Sequence, residues 1–194
     1  MPRASCDGDQ GVIAGQLYVY TGCFAAKNLG RVFFRYNPAM NTWVVRAAPR
    51  FDHSSGAGAV VNGKFYLAGG YDLVEASPTN SEFEELNGKL EVYNPATNSW
   101  MTKAPMSRSK AGMAGAAVNG KLYLAGGASS GGEFPENTLQ AYDPMTNMWM
   151  MRAPMPTRHS QGAATMAGGR LFTIWGYEYL EPSDTPSRVY AYTP

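Results

Sequence analysis

The chain has 194 residues, 44% of them hydrophobic and 16% charged, with 16 basic residues against 15 acidic. That balance excludes a disordered chain, and a net charge of +1 sets up no global field toward nucleic acid or an anionic membrane. Two cysteines, Cys6 and Cys23, are too few for a disulfide framework, no apolar run approaches the ~20 residues of a membrane span, and the opening MPRASCDGDQ has no apolar signal core. The expected setting is cytoplasmic, with both thiols reduced. Twenty-two glycines, 13 prolines and 12% aromatics read as short strands joined by tight turns.

In chain order the same elements return. GQLYVYTG (Gly15 to Gly22) is followed by NGKFYLAGG (Asn62 to Gly70), NGKLYLAGG (Asn119 to Gly127) and GGRLFTIWG (Gly168 to Gly176). After each of the first three comes a Tyr-to-Trp signature of fixed length: YNPAMNTW from Tyr36 to Trp43, YNPATNSW from Tyr93 to Trp100, and YDPMTNMW from Tyr142 to Trp149. A fourth begins at Tyr192, and an Ala-Pro step follows each Trp, at Ala48-Pro49, Ala104-Pro105 and Ala153-Pro154. In the second unit the pattern predicts four strands: Gly58 to Val61 (a), Lys64 to Ala68 (b), Lys89 to Tyr93 (c) and Trp100 to Lys103 (d). Asn62-Gly63 makes the a–b hairpin and Pro95 presets the c–d turn. No sustained 3.6-residue apolar period predicts helix.

A four-stranded unit of roughly 50 residues, with Gly69-Gly70 or Gly126-Gly127 after strand b and Tyr and Trp flanking the c–d turn, resembles the Kelch repeat. The resemblance covers essentially the whole chain. It implies an all-β propeller of about four blades, in which these glycines, Tyr36, Tyr93, Tyr142, Trp43, Trp100 and Trp149 are structural. Thr21-Gly22 and Trp175-Gly176 depart from the Gly-Gly pattern. The blades are read at approximately 1–49, 50–106, 107–155 and 156–194, as one propeller region whose last blade lacks strand d. A small four-bladed ring, a part of a larger propeller, and a ring closed by a homodimer all fit. On any of them the outer edge of strand c at Arg188 to Tyr192 is expected to find a partner, because bare strand edges are rarely left open.

Strand alternation puts the b–c and d–a connections on one face. The turns opposite are short and alike, whereas the b–c connections are long and different, which marks theirs as the binding face. Ten of the 15 acidic residues fall in those connections: Asp72, Glu75, Glu82, Glu84, Glu85, Glu133, Glu136, Glu178, Glu181 and Asp184. The d–a links carry Arg3, Arg50, Arg108, Lys110 and Arg158, with His53, Lys110 and His159 each ten residues before a repeat glycine. The expectation is an inner cationic ring of Arg50, His53, Arg108, Lys110, Arg158 and His159 that takes a carboxylate or other small anion, inside an acidic fringe.

No Walker loop, GxSxG elbow, HExxH or CxxC pair is present. Kelch-type copper oxidases use Tyr and His ligands, but the motifs around His53 and His159 do not match theirs. Kelch-type sialic-acid mutarotases use acidic and Arg groups in the mouth, and no local motif here singles out such a pair. The sequence is therefore read as a non-catalytic binding module with no cofactor and no metal, recognising a protein segment or a small anionic ligand. A carbohydrate-active Kelch enzyme is the alternative.

Overall fold

The computed structural model describes residues 2, 7–22, 31–74, 83–129, 135–175 and 188–194. Arg3, Ser5, Cys6, Cys23, Glu75, Glu82, Glu133, Gly176, Glu178, Glu181 and Asp184 lie outside them. Among the described residues there are 17 strands and no helix, hence none long and apolar enough to cross a membrane.

Blade 1 is β1 (Asp9–Ile13), β2 (Gln16–Thr21), β3 (Val32–Asn37) and β4 (Thr42–Arg46), paired in that order. Blade 2 is β5 (Ala57–Val61), β6 (Lys64–Ala68), β9 (Leu90–Asn94) and β10 (Ser99–Lys103). Between β6 and β9 the chain makes a separate hairpin, β7 (Tyr71–Val74) and β8 (Phe83–Leu86). Blade 3 is β11 (Ala111–Val118), β12 (Lys121–Ala128), β13 (Leu139–Asp143) and β14 (Met148–Arg152). Blade 4 is β15 (Ala163–Ala167), β16 (Arg170–Trp175) and β17 (Arg188–Tyr192). All pairs are antiparallel, and the innermost strands β1, β5, β11 and β15 lie side by side in sequence. This is a propeller arrangement of four radial sheets. On its outer edge β17 pairs with no strand among the described residues.

The turns follow from their residues. At each a–b turn both central residues have positive φ, as at Asn62 (49°) and Gly63 (72°) and at Asn119 (49°) and Gly120 (74°), the primed geometry that matches strand twist. At each c–d turn the first side chain accepts a backbone N–H two residues on: Asn37 from Ala39, Asn94 from Ala96, and Asp143 from Met145.

The Gly-Gly pairs join neighbouring blades. Gly69 N–H donates to Lys89 O of its own blade (2.9 Å), and Gly70 N–H donates to Lys110 O in the next link (2.7 Å). Gly126 and Gly127 repeat this with Thr138 O (2.8 Å) and His159 O (2.9 Å). Gly70 has φ +90°, and a Cβ there would lie 2.5 Å from Ser54 O, so a side chain is excluded by backbone conformation and by contact.

Trp43, Trp100 and Trp149 occupy one register position, opposite Tyr36, Tyr93 and Tyr142. They are half-buried rather than fully buried, because strand d is the outer strand of each sheet. Trp100 packs between blades against Phe33 (ring centroids 5.0 Å), Tyr93 (5.3 Å) and Phe65 (6.4 Å). Its indole N–H donates to Ala47 O (2.7 Å), while Ala47 N–H donates to Asn98 Oδ1 (3.1 Å). The next joint repeats both bonds: Trp149 to Ala104 O (2.8 Å) and Ala104 N–H to Asn147 Oδ1 (3.1 Å). The jointing residue of the first link is thus Ala47, not the Ala48 that precedes its proline. Ala47, Ala104 and Ala153 each stand six residues before His53, Lys110 and His159.

Candidate binding face

The expected cationic ring is not assembled as drawn. His53, Lys110 and His159 are buried, at 1%, 3% and 2% exposure. The reason is their place in the link. In the joints that follow blades 2 and 3, the carbonyl of Lys110 or of His159 receives the second repeat glycine of the preceding blade, so side chains at this position sit under the blade junction rather than in a mouth. The histidine Nδ1 of His53 donates to Gly69 O (2.8 Å), and its Nε2 lies 3.2 Å from Glu91 Oε2. Both ring nitrogens face oxygen atoms, the Gly69 carbonyl and the Glu91 carboxylate. Lys110 Nζ is held by Glu136 and Thr138. His159 Nε2 bonds Thr157 Oγ1, which also meets the Tyr190 hydroxyl (2.7 Å). Arg50, Arg108 and Arg158 are exposed; Arg50 leans over Phe51, and Arg108 Nη1 is 3.6 Å from Glu136 Oε1.

Two carboxylates organise this face. Glu91, on β9, accepts the backbone N–H of Arg50 (3.1 Å) and of Phe51 (3.0 Å) as well as His53. Burial works against its charge, but these three donors outweigh it and hold Glu91 below the usual carboxylate range. Glu136 does the same one blade on: burial opposes its charge, and Lys110, Ser129 and Arg108 outweigh that and lower its pKa.

At the joint of blades 1 and 2 a chain of polar groups runs to the surface. His53 N–H donates to the Tyr20 hydroxyl (3.0 Å), which donates to Asp52 Oδ1 (3.2 Å), and Asp52 N–H donates to Asp72 Oδ1 on the hairpin (3.3 Å). Burial, with Asp52 close by, pushes the Tyr20 phenol above its usual range. Burial also raises Asp52; Arg31 pulls the other way and Asp72 adds to the rise. The hairpin is anchored by a bridge between Ser54 and Tyr71 and by Asn87 N–H donating to Gly70 O (2.9 Å).

A central cavity of about 900 Å³ touches all four innermost strands. Small residues line it, among them Gly58, Ala59, Ala114, Gly115, Ala116 and Ala163, with Asp7, Asp9 and Gln10 on the blade 1 side. Among the described residues its wall carries no Lys or Arg, so the mouth is locally acidic. No group of three His, Cys, Asp or Glu among those residues is placed to hold a metal.

Asp9 was not singled out in the sequence, although a signal existed. It stands where the other three blades have Ala57, Ala114 and Ala163, each opposite the fifth residue after the turn glycine. Burial pushes its carboxyl up to about 7, against hydrogen bonds from the N–H groups of Gln10 and Gly58. Between roughly pH 4 and pH 7 the folded chain then holds a proton that the unfolded chain has released, so this group makes stability fall as pH rises through that window. Asp9→Ala should remove that slope and raise the melting temperature at pH 8 while changing little at pH 4. An unchanged slope in pH-dependent melting would refute the assignment.

Comparison with known proteins accords with the fold and the repeats. A family model described as the Kelch motif matches residues 53–107 and 109–156, just over half of the chain. The chain belongs to the Kelch-repeat family. Among curated relatives of this Kelch chain, an F-box/kelch-repeat protein of Arabidopsis thaliana is 34% identical over 99 residues, covering 51% of this chain and 22% of the relative. The human Kelch repeat and BTB domain-containing protein 12 is 31% identical over 105 residues, 51% of this chain and 16% of that protein. Zebrafish Kelch-like ECH-associated protein 1A is 31% identical over 94 residues, 48% of this chain and 14% of that protein. The Kelch chain thus spans under a quarter of the length of these three relatives. A solved structure of YjhT superposes with a TM-score of 0.68 at 22% identity, over 86% of this chain and 58% of that one, which shows a shared fold.

Proposed function

We propose that this Kelch chain is a protein-binding module that recognises a segment of a partner on the face made by the b–c and d–a connections. The observation that carries the reading is the β7–β8 hairpin. It is the described connection between strands b and c that builds structure of its own, and it is tied into the adjacent link by the Ser54–Tyr71 bridge and by Asp72 accepting from Asp52 N–H. The opposite face repeats the same tight turns blade after blade and offers nothing distinctive. The relatives named for F-box or BTB domains beside kelch repeats support a role in binding proteins. Exposed Arg50, Arg108 and Arg158 around an acidic hairpin and mouth favour a segment of mixed charge over a simple anion.

Site-specific photo-crosslinking tests the face. A photoreactive residue at Asp72 or Arg108 should capture the same partner, and one at Thr97 on the opposite turn should capture none. Equal capture from Thr97 would move the site to the other face. Tight 1:1 binding of a small carboxylate, competing with that capture, would replace the protein-segment reading with the small-anion one.

A further inference from the structure

The outer strand of blade 3 carries methionines that its packing does not call for. Met145, Met148, Met150 and Met151 are exposed, at 89%, 60%, 40% and 60%. Aligned on the strand-d tryptophan, the same four places hold Ala39, Thr42, Val44 and Val45 in blade 1 and Ala96, Ser99, Met101 and Thr102 in blade 2. Both of those blades form their four-stranded sheets without a methionine cluster. The exposure belongs to the position in the blade, since Ser99 and Met101 are exposed as well with a complete blade 3 beside them.

Backbone geometry sorts the four. Along β14 alternate side chains share a face, so Met148 and Met150 lie on one side and Trp149 and Met151 on the other. Trp149 is committed to the joint with blade 2, where its indole N–H donates to Ala104 O, and Met151 shares that side. Met148 and Met150 stand about 6–7 Å apart along the strand, within reach of each other's flexible side chains. Met145 joins them from the c–d turn. Asn147 N–H donates to Asp143 O (2.9 Å) and Met145 N–H to Asp143 Oδ1 (2.9 Å), which closes the turn with Met145 three residues before Met148. Opposite Met148 and Met150 on β13 lie Asp143 and Ala141. Ala141 has no polar side-chain group, and both oxygens of the Asp143 carboxylate are engaged, Oδ1 by Met145 N–H and Oδ2 by Lys121 Nζ (2.7 Å). The face thus offers three sulfurs and, on these two strands, no uncommitted carboxylate.

We infer that Met145, Met148 and Met150 form a thioether site for a soft monovalent metal ion, of the Cu(I) or Ag(I) class, on the outer strand of blade 3. Thioether sulfur is a soft, polarisable donor that selects such ions, whereas calcium and magnesium require oxygen ligands and zinc takes thiolate, imidazole or carboxylate. Three long side chains are ordered when the ion binds, so the site holds it less tightly than a rigid set of ligands would. Binding forms metal–sulfur bonds alone; no electron is transferred and no proton is released, because a thioether has none to lose. The bound ion ties the c–d turn to β14. The site shares no residue with the hairpin face or the central cavity, and it stands independently of the function proposed above.

Silver nitrate is the probe, titrated in chloride-free buffer into the full chain with Cys6 and Cys23 alkylated, because thiols compete for soft ions. The methionine methyl groups are followed by NMR. Those of Met145, Met148 and Met150 should shift together and saturate at one ion per chain. Those of Met101 and Met151, equally exposed but each the lone methionine of its strand face, should stay in place. Met148→Leu or Met150→Leu keeps the side-chain volume and should weaken binding at least about tenfold, while Met151→Leu should leave it unchanged. Zinc nitrate and calcium nitrate should move none of these methyls. Absence of a shift at Met145, Met148 and Met150 overturns the inference. So does an equal shift at Met101 and Met151, which marks surface methionines taking silver one at a time, and so does unchanged affinity in both the Met148→Leu and Met150→Leu variants.

Discussion

Trp100→Ala is expected to lower stability by about 3–5 kcal/mol, the range for removing a packed aromatic from a core. The loss has three parts that act together at one joint. The ring leaves a void among Phe33, Phe65 and Tyr93, all of them fully buried. The carbonyl of Ala47 loses its indole donor, and the register between blades 1 and 2 loses one of the bonds that define it. Trp43 supplies the control. It stacks on Tyr36 (4.8 Å) and Phe34 (6.1 Å) of its own blade, and no cross-blade carbonyl receives its indole among the described residues. Trp43→Ala should therefore cost clearly less than Trp100→Ala. Urea denaturation of the two variants side by side measures this, and equal costs would show that the cross-blade joint adds nothing.

The second large effect is expected at Glu91. Glu91→Gln should cost about 1–3 kcal/mol, because hydrogen bonds to a charged acceptor are lost and a buried donor is left unsatisfied. Space is not the obstacle, since blade 3 carries Gln140 in the same register of strand c. The obstacle is donor and acceptor balance. The Arg50 and Phe51 N–H groups and the His53 ring all point at this carboxylate, and an amide offers a single oxygen in return. Acid should reproduce the effect. Glu91 is held below its usual range in the folded chain, so its contribution is present above the ordinary carboxylate pKa and is lost as pH falls through the lower, folded value. Wild-type stability should thus drop below about pH 4.5 with a component that Glu91→Gln lacks. If the variant keeps the same acid limb, the pair is not the cause.

Much of the architecture is legible in particular residues. The Asn62-Gly63 and Asn119-Gly120 steps dictate positive φ at two successive positions, and a two-residue hairpin follows. The strands predicted for the second unit match β5, β6, β9 and β10 to within a residue at each end. The long b–c connection of the second unit contains β7 and β8, a hairpin that the repeat pattern does not predict because no other unit shares its sequence. The asparagines at 41, 98 and 147 are visible as a repeated Asn-x-Trp, but the double duty of Asn98 and Asn147, toward Tyr in their own blade and toward the preceding blade's Ala, shows only when the sheets stand side by side.

The sequence by itself determined the repeat, the strand order within each blade and the turns, because these depend on neighbours a few residues apart and on backbone preferences of Gly, Asn and Pro. It could not decide where the link cations go. His53, Lys110 and His159 share a spacing with the repeat glycines, and that spacing is equally compatible with a charged mouth and with a buried junction. The outcome depends on what each blade places opposite: Glu91 for His53, Glu136 for Lys110, and Thr157 with Tyr190 for His159. Glu91, Glu136 and Tyr190 lie 38, 26 and 31 residues from these three and come within reach only once the strands of each blade pair, while Thr157 is a near neighbour of His159. A buried charge is tolerated where such partners are present and expelled to solvent where they are not. Packing likewise decided that Asp9 and a wall of Gly and Ala, rather than arginines, line the central cavity.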